Sequence, residues 1–317
     1  MLGFMLRRVD VWSGALVLSA LWGLQGCDDG ASSEGAGGRG GEDPGQGGEA
    51  GQGGAPLGPP TVGDLVIEEV FYAGSPGLVE HTFNDQFIDV RNDSDGVIYL
   101  DGLLVGDAFG AAGEINPGQP TSPFRDDPDS VYLSNVFRIP GSGTDHPLLP
   151  GETVTLAHDG TNHQPDSVLD LSGADFEAFI ESSGKDDDWP TVPNLEVVHF
   201  TGGFDWLMPV FGPAVVIARV DDPATLERVP EPGFPDYELV ALPIEAVVDG
   251  VECLMDGDSE DYKRLPPGVD ATFVYVSDTY TGESVRRRVG SDEVPTLVDT
   301  GSSAADFEVL AVPEPGQ

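Results

Sequence analysis

From residue 63 onward, the apolar positions fall in short, β-branched runs separated by clusters of Gly, Pro, Asn and Asp, which is the pattern of strands and turns. Ten segments have this character: Leu65 to Tyr72, Gln86 to Arg91, Val97 to Val105, Val131 to Arg138, Thr153 to Ala157, Leu195 to Phe200, Ala214 to Val220, Ile244 to Cys253, Thr272 to Val276 and Ser284 to Val289. In the first, Val66, Glu68, Val70 and Tyr72 alternate with Leu65, Ile67, Glu69 and Phe71. One face of that strand is expected to be fully buried and the other partly covered. Helical spacing is confined to Ser172 to Ser182, where Ser172 can cap a short helix with Phe176, Phe179 and Ile180 on one face, plugging the end of a sandwich. Strands without intervening helices exclude alternating βαβ units and predict an all-β sandwich.

The N-terminus has a different pattern. Arg7 and Arg8 precede an apolar run from Val11 to Leu24, which has the length of a signal-peptide core and is short for a membrane span. Leu24-Gln25-Gly26-Cys27 then matches the residues at which bacterial prolipoproteins are lipidated and cut, with an ordinary secretory signal or a short buried helix as the alternatives. Acyl chains on Cys27 would contribute about 0.8 kcal/mol per buried methylene, and more than one chain makes attachment stable. The following segment to Pro60 is rich in Gly, with Ala, Pro and Glu, and has almost nothing to bury, so it is expected to be disordered. Such a tether spans on the order of 30 Å as a coil and about 120 Å when extended. The chain therefore divides into a signal peptide at 1–26, a lipidated Cys27 with its tether at 27–62, and a β-sandwich domain at 63–317.

Charge narrows the partners. Lys and Arg number 14 against 56 Asp and Glu, a formal charge of −42 that becomes −43 once Arg7, Arg8 and Asp10 leave with the signal. Nucleic acid and anionic headgroups would be repelled, so electrostatic attraction to either is excluded as a main function. The membrane is instead a partner through the N-terminal lipid, and an envelope protein or polysaccharide is the expected second partner. The expected location is the bacterial cell envelope, at the outer membrane or cell surface in preference to the inner membrane. With Cys27 committed to lipid, Cys253 has no disulfide partner and reads as a small buried hydrophobe.

Several motifs occur in the order seen in lamin-tail domains: Leu65-Val66-Ile67-Glu68-Glu69-Val70, Phe87-Ile88-Asp89-Val90-Arg91-Asn92, Tyr99-Leu100-Asp101-Gly102, Leu149-Pro150-Gly151-Glu152, Ser284-Val285-Arg286-Arg287 and Pro313-Glu314-Pro315-Gly316. The chain thus resembles a lamin-tail domain, which implies an immunoglobulin-like β-sandwich with long loop insertions and one short helix. It also resembles a family of uncharacterised bacterial surface lipoproteins related to that domain. The matching pieces are Asp85-Gln86-Phe87-Ile88, Ile139-Pro140-Gly141, Asp170-Leu171-Ser172 with Ala174-Asp175-Phe176-Glu177, Lys263-Arg264-Leu265-Pro266, and Gly282 to Arg288. Leu103 departs from the aromatic common after the Leu-x-Gly turn, and the stretches 106–148 and 159–243 exceed ordinary hairpin connections. The resemblance assigns no enzyme activity.

The residues themselves offer few chemical constellations. Ala73-Gly74-Ser75-Pro76-Gly77 has the spacing of a nucleophile elbow, but Pro76 and the lack of a following helix oppose one. His158 and His163 frame His-Asp-Gly-Thr-Asn-His without the one-face placement of a helical metal pair, and read as turn residues. Asp256, Asp258 and Asp261 offer hard oxygen ligands that could seat calcium, although the segment lacks the Gly and the distal Glu of an EF-hand loop; a solvated acidic turn is the alternative. Asn92-Asp93-Ser94-Asp95-Gly96 reads as a hairpin connection with Gly96 at positive φ. Lys185 to Trp189 reads as a surface loop, with Trp189, Phe204 and Trp206 packing the core or lining a groove. Arg287 should point opposite Arg286 and Arg288 and pair with framework carboxylates.

The expected function is a non-catalytic binding or structural module with no firm cofactor. The alternatives are a ligand- or calcium-binding lipoprotein serving an outer-membrane receptor, and an envelope hydrolase with a carboxylate site.

Overall fold

The computed structural model describes residues 61–317 other than 62, 78–82, 165, 204, 207 and 292–295. The signal peptide, Cys27 and all of the tether but Thr61 lie outside the described residues, as does Phe204. Fifteen strands occur among the described residues. The first eight are β1 (Leu65–Phe71), β2 (Phe87–Asn92), β3 (Ile98–Tyr99), β4 (Leu104–Ala108), β5 (Ser130–Arg138), β6 (Pro147–Leu148), β7 (Thr153–Ala157) and β8 (Phe176–Glu177). The rest are β9 (Glu196–Phe200), β10 (Ala214–Ala218), β11 (Glu227–Glu231), β12 (Phe234–Pro243), β13 (Val247–Glu252), β14 (Ser284–Arg287) and β15 (Phe307–Leu310). One four-residue helix, α1 (Ser303–Asp306), precedes β15.

One sheet runs in the order β15-β14-β1-β2-β7-β8, and the other in the order β11-β12-β5-β4-β10-β13 with β9 added to β5. Their facing side chains form the main core. Leu65, Ile67, Ile88 and Val90 come from the first sheet, and Val105, Phe137, Val215 and Ile217 from the second. Strand periodicity explains the sharing: in β10, Val215 and Ile217 face this core while Ala214, Val216 and Ala218 face a second cluster with Leu133, Val240 and Leu265. The second sheet is thus covered on both faces. All-β sandwich architecture follows directly.

β1 is buried on both faces along its whole length. The register with β2 shifts between Ile67 and Glu69, a bulge that inserts one residue. Leu65 and Ile67 therefore share the main core with Val70 and Tyr72, and simple alternation fails. Glu68 and Glu69 both turn to the outer face. There Glu68 meets Arg91 and Arg286, and Glu69 accepts from Ser284 Oγ and Glu314 N.

Four sequence expectations are corrected. Ser172 to Ser182 is not helical: Phe176–Glu177 pairs parallel with β7, and only Glu181–Ser183 forms a 3-10 turn. Backbone pairing to an exposed strand edge outweighs the weak helical spacing there. The segment 97–105 splits, because β3 pairs β6 while β4 enters the second sheet. Thr272 to Val276 makes one isolated bridge, Val274 to Cys253, and no strand. Asn92 to Gly96 joins strands of different sheets, and Gly96 is absent from the positive-φ positions; the Asn92 side chain closes that turn by donating to Gly96 O at 2.7 Å.

Candidate functional site

Three insertions meet at the end of the sandwich where β1 and β7 finish and β2 begins. Gln86 fixes the position of one of them. Its side-chain amide donates to Tyr72 O at 2.6 Å and Met208 O at 3.0 Å and accepts from Met208 N at 3.1 Å. Trp206 is fully buried, packs against Phe137 with tilted rings whose centroids lie 4.6 Å apart, and donates through Nε1 to Asp107 at 2.8 Å. The backbone at Asp205 is therefore held by its neighbours.

The second element follows β7. His158 N bonds Gln86 O at 3.0 Å, and its ring packs 5.2 Å from that of Trp206. Asp159 follows, then Gly160, where a Cβ would meet Val192 Cγ2 at 2.6 Å and Glu177 Oε2 at 2.9 Å. Only glycine fits that approach. The space is used by Glu177, which accepts from Gly160 N at 2.7 Å and from Trp189 N at 2.8 Å. Glu177 thereby ties the Asp159 turn to the third element, the loop 181–189. In that loop Asp186 accepts from Ile180 N at 2.7 Å.

Asp159, Asp186 and Asp205 converge: one carboxylate oxygen of each lies within 4.8 Å of the others. Asp205 and Asp159 are 7% and 8% exposed, and Asp186 is half-buried. Among the described residues no Lys, Arg or His side chain makes an ion pair with any of the three. Asn84 Nδ2 donates to Asp159 at 3.1 Å, but Asp205 Oδ1 is buried with no hydrogen-bond partner. Burial, then the charges of Asp186 and Asp159, push the Asp205 carboxyl up to about 8. Burial, followed by Asp186 and Asp187, raises Asp159 to about 6. Glu177 rises to about 7 through burial and then Asp188 and Asp159. Three crowded oxygen donors without a compensating cation can hold a hard metal ion or share protons.

The sequence-derived ligands do not converge in this way. Asp256 Oδ1 accepts from Asp258 N at 3.0 Å and Ser259 Oγ at 2.7 Å, which closes its own turn. Asp258 is exposed, and exposed Asp261 meets Arg125 Nη1 at 3.4 Å. His158 and His163 also stay apart from any metal cluster among the described residues, and the acid between them, Asp159, joins one. Burial holds the His158 imidazole down to about 3, with both ring nitrogens unpartnered. Ser75 donates to Asp85 at 2.5 Å with no imidazole between them, so it lacks the arrangement of an activated nucleophile. Cys253 is a fully buried free thiol, as its apolar surroundings predict. A groove of about 400 Å³ lies outside the third insertion, lined by Phe179, Glu181, Asn194 and Val197.

The framework residues match their sequence reading more closely. Arg287 is buried between Asp249, Asp299 and Asp306 at 2.5, 3.2 and 3.8 Å, with Phe307 beneath its guanidinium.

No curated protein matches the chain. A crystal structure of a DUF4876 family protein from Bacteroides thetaiotaomicron is similar to it, with 27% identity and a TM-score of 0.68, over 78% of this chain and 71% of that one. Residues 149–314 match the model of a family described as protein of unknown function (DUF4876), a span that includes β7, all three acids and the closing strands. The chain belongs to the DUF4876 family.

Proposed function

We propose that this protein is a lipid-anchored, non-catalytic binding or structural module of the bacterial cell envelope, held off its membrane by the Gly-rich tether. The observation that carries this reading is Leu24-Gln25-Gly26-Cys27, at the end of a signal-like apolar run and followed by a segment with nothing to bury. Chain direction supports it. The sandwich begins at Leu65, opposite Asn92, whereas the acidic insertions gather around Tyr72, Gln86 and His158. The length of β1, about 20 Å at ordinary strand rise, separates the tethered end from the insertions. An anchor at Cys27 then leaves the insertion end free for an envelope protein or polysaccharide. Loops carried on a rigid sandwich suit that role.

The test is metabolic labelling of the full chain with a radiolabelled or clickable fatty acid, followed by membrane fractionation. Incorporation lost in Cys27→Ser, with release of the variant from the membrane fraction, supports the reading. Equal fractionation of both forms without label would overturn it.

A further inference from the structure

We propose that Asp159, Asp186 and Asp205 form a site for one hard divalent cation of the calcium class, and that this ion clamps the three insertions to the end of the sandwich. The inference is independent of the lipid anchor.

Two observations carry it together. The first is convergence. Three oxygens no more than 4.8 Å from one another have a common centre at most about 2.8 Å from each, a few tenths from the 2.3–2.6 Å of Ca–O bonds. The second is Asp205 Oδ1, an acceptor on a residue more than nine-tenths buried that has no donor. Buried acceptors without donors are rare, because desolvation costs them their water and nothing replaces it. A bound cation supplies the missing partner and removes the repulsion among the acids.

The donor set selects the ion. All three ligands are carboxylates and the cluster contains no Cys or His, which disfavours zinc and copper. Magnesium requires oxygens at 2.0–2.1 Å in near-ideal octahedral geometry, a tighter contraction than calcium needs. Water fills the remaining coordination positions.

The three acids also belong to three chain segments that few other bonds connect. Asp159 leaves β7, Asp186 sits in the loop after the 3-10 turn, and Asp205 precedes the Trp206 anchor. Glu177 joins the first two through backbone amides, and the ion would add the third.

The test uses the full chain, stripped with EDTA, in thermal unfolding with CaCl₂, MgCl₂ or ZnCl₂. Calcium at a hundredfold excess over Kd should raise Tm by about 5–10 °C, saturably and more than magnesium does. Asp205→Asn and Asp159→Asn should lose that rise, while Asp256→Asn keeps it. Terbium gives a second readout that does not depend on variant stability: its luminescence should be sensitised by the adjacent Trp206, at one ion per chain, and displaced by calcium. No rise with any cation would overturn the proposal. So would a rise equal for calcium and magnesium and unchanged in Asp205→Asn, which marks screening of the acidic surface, or a rise lost only in Asp256→Asn.

Discussion

Glu252 and Asp205 are both buried acids at the edge of the same sandwich, and they are handled in opposite ways. Glu252 is fully buried against Arg264, whose side chain is 1% exposed, and its two oxygens accept from Arg264 Nε at 2.9 Å, Arg264 N at 2.8 Å and Leu265 N at 2.7 Å. The guanidinium also donates to Gly110 O, Gly212 O and Cys253 O. Asp249 repeats the arrangement with Arg287. Asp205, by contrast, has two acidic neighbours, no cation and an unpartnered oxygen. In a chain with only 14 basic side chains, such internal compensation is selective. Arginine is placed where β14 closes on β13 and where the loops beside β13 gather, and among the described residues none pairs with the acids where the insertions meet. The comparison separates acids that complete the fold from acids that await a ligand.

Breaking the compensated side should have the largest effect. Arg264→Met leaves the Glu252 carboxylate buried and unpaired, and should cost about 3–5 kcal/mol in denaturant unfolding, without rescue by calcium. On the uncompensated side, Asp205→Asn should not destabilise the EDTA-stripped protein, because it replaces a carboxyl whose ionisation is already opposed by burial and by Asp186 and Asp159. It should forfeit about 2–3 kcal/mol of calcium-dependent stabilisation at a hundredfold excess over Kd, measured by calorimetry. Gly160→Ala forces a methyl group against Val192 and Glu177 and should cost about 1–3 kcal/mol in the same assay.

A third kind of acid sharpens the contrast. Asp89 lies on the outer face of the first sheet, accepts from Thr155 Oγ1 and Gly316 N, and is pushed up to about 8, chiefly by burial. Its folded form holds a proton that the unfolded chain has released, so the folded state binds more protons between about pH 4 and 8. Stability from this group is complete below about pH 4 and is lost as pH rises through about 8. Asp89→Asn should therefore gain on the wild type as pH rises across that window, and the difference should be flat outside it. The smallest effect belongs to the exposed turn: Asp261→Asn should change stability by no more than about 0.5 kcal/mol, with or without calcium.

What the sequence revealed depended on distance along the chain. Strands with several consecutive β-branched residues, such as β1, β7 and β10, are written locally and are found close to their expected bounds. Arg287 was legible because a strand fixes which side chains share a face. The bulge in β1 was not, since an inserted residue leaves no mark in an unbroken apolar run. β11 and β12 were missed because their charged and Pro-containing stretches resemble loops, and β15 because four residues carry too little pattern to stand out. Glu227 to Glu231 holds two acids, an Arg and a Pro, and its pairing with β12 supplies what its composition does not.

The converging acidic triad was hidden for a related reason. Asp256, Asp258 and Asp261 stand close together in the sequence, but that closeness lets the Asp256 side chain close its own turn, while Asp261 meets Arg125. Asp159, Asp186 and Asp205 are spread over three chain segments among many other acids, and only the packing of Gly160, Glu177 and Trp206 brings them together. Two local signals were present: Gly160 directly after Asp159, and a large aromatic directly after Asp205.

The most direct test of the contrast between compensated and uncompensated acids is an anomalous difference map from crystals of the protein soaked with terbium or grown with calcium. The account predicts one strong peak among the carboxylates of Asp159, Asp186 and Asp205, with Asp205 Oδ1 in the coordination shell and no peak at Glu252 or Asp249. An empty triad, or a peak seated instead at Asp256, Asp258 and Asp261, would contradict it.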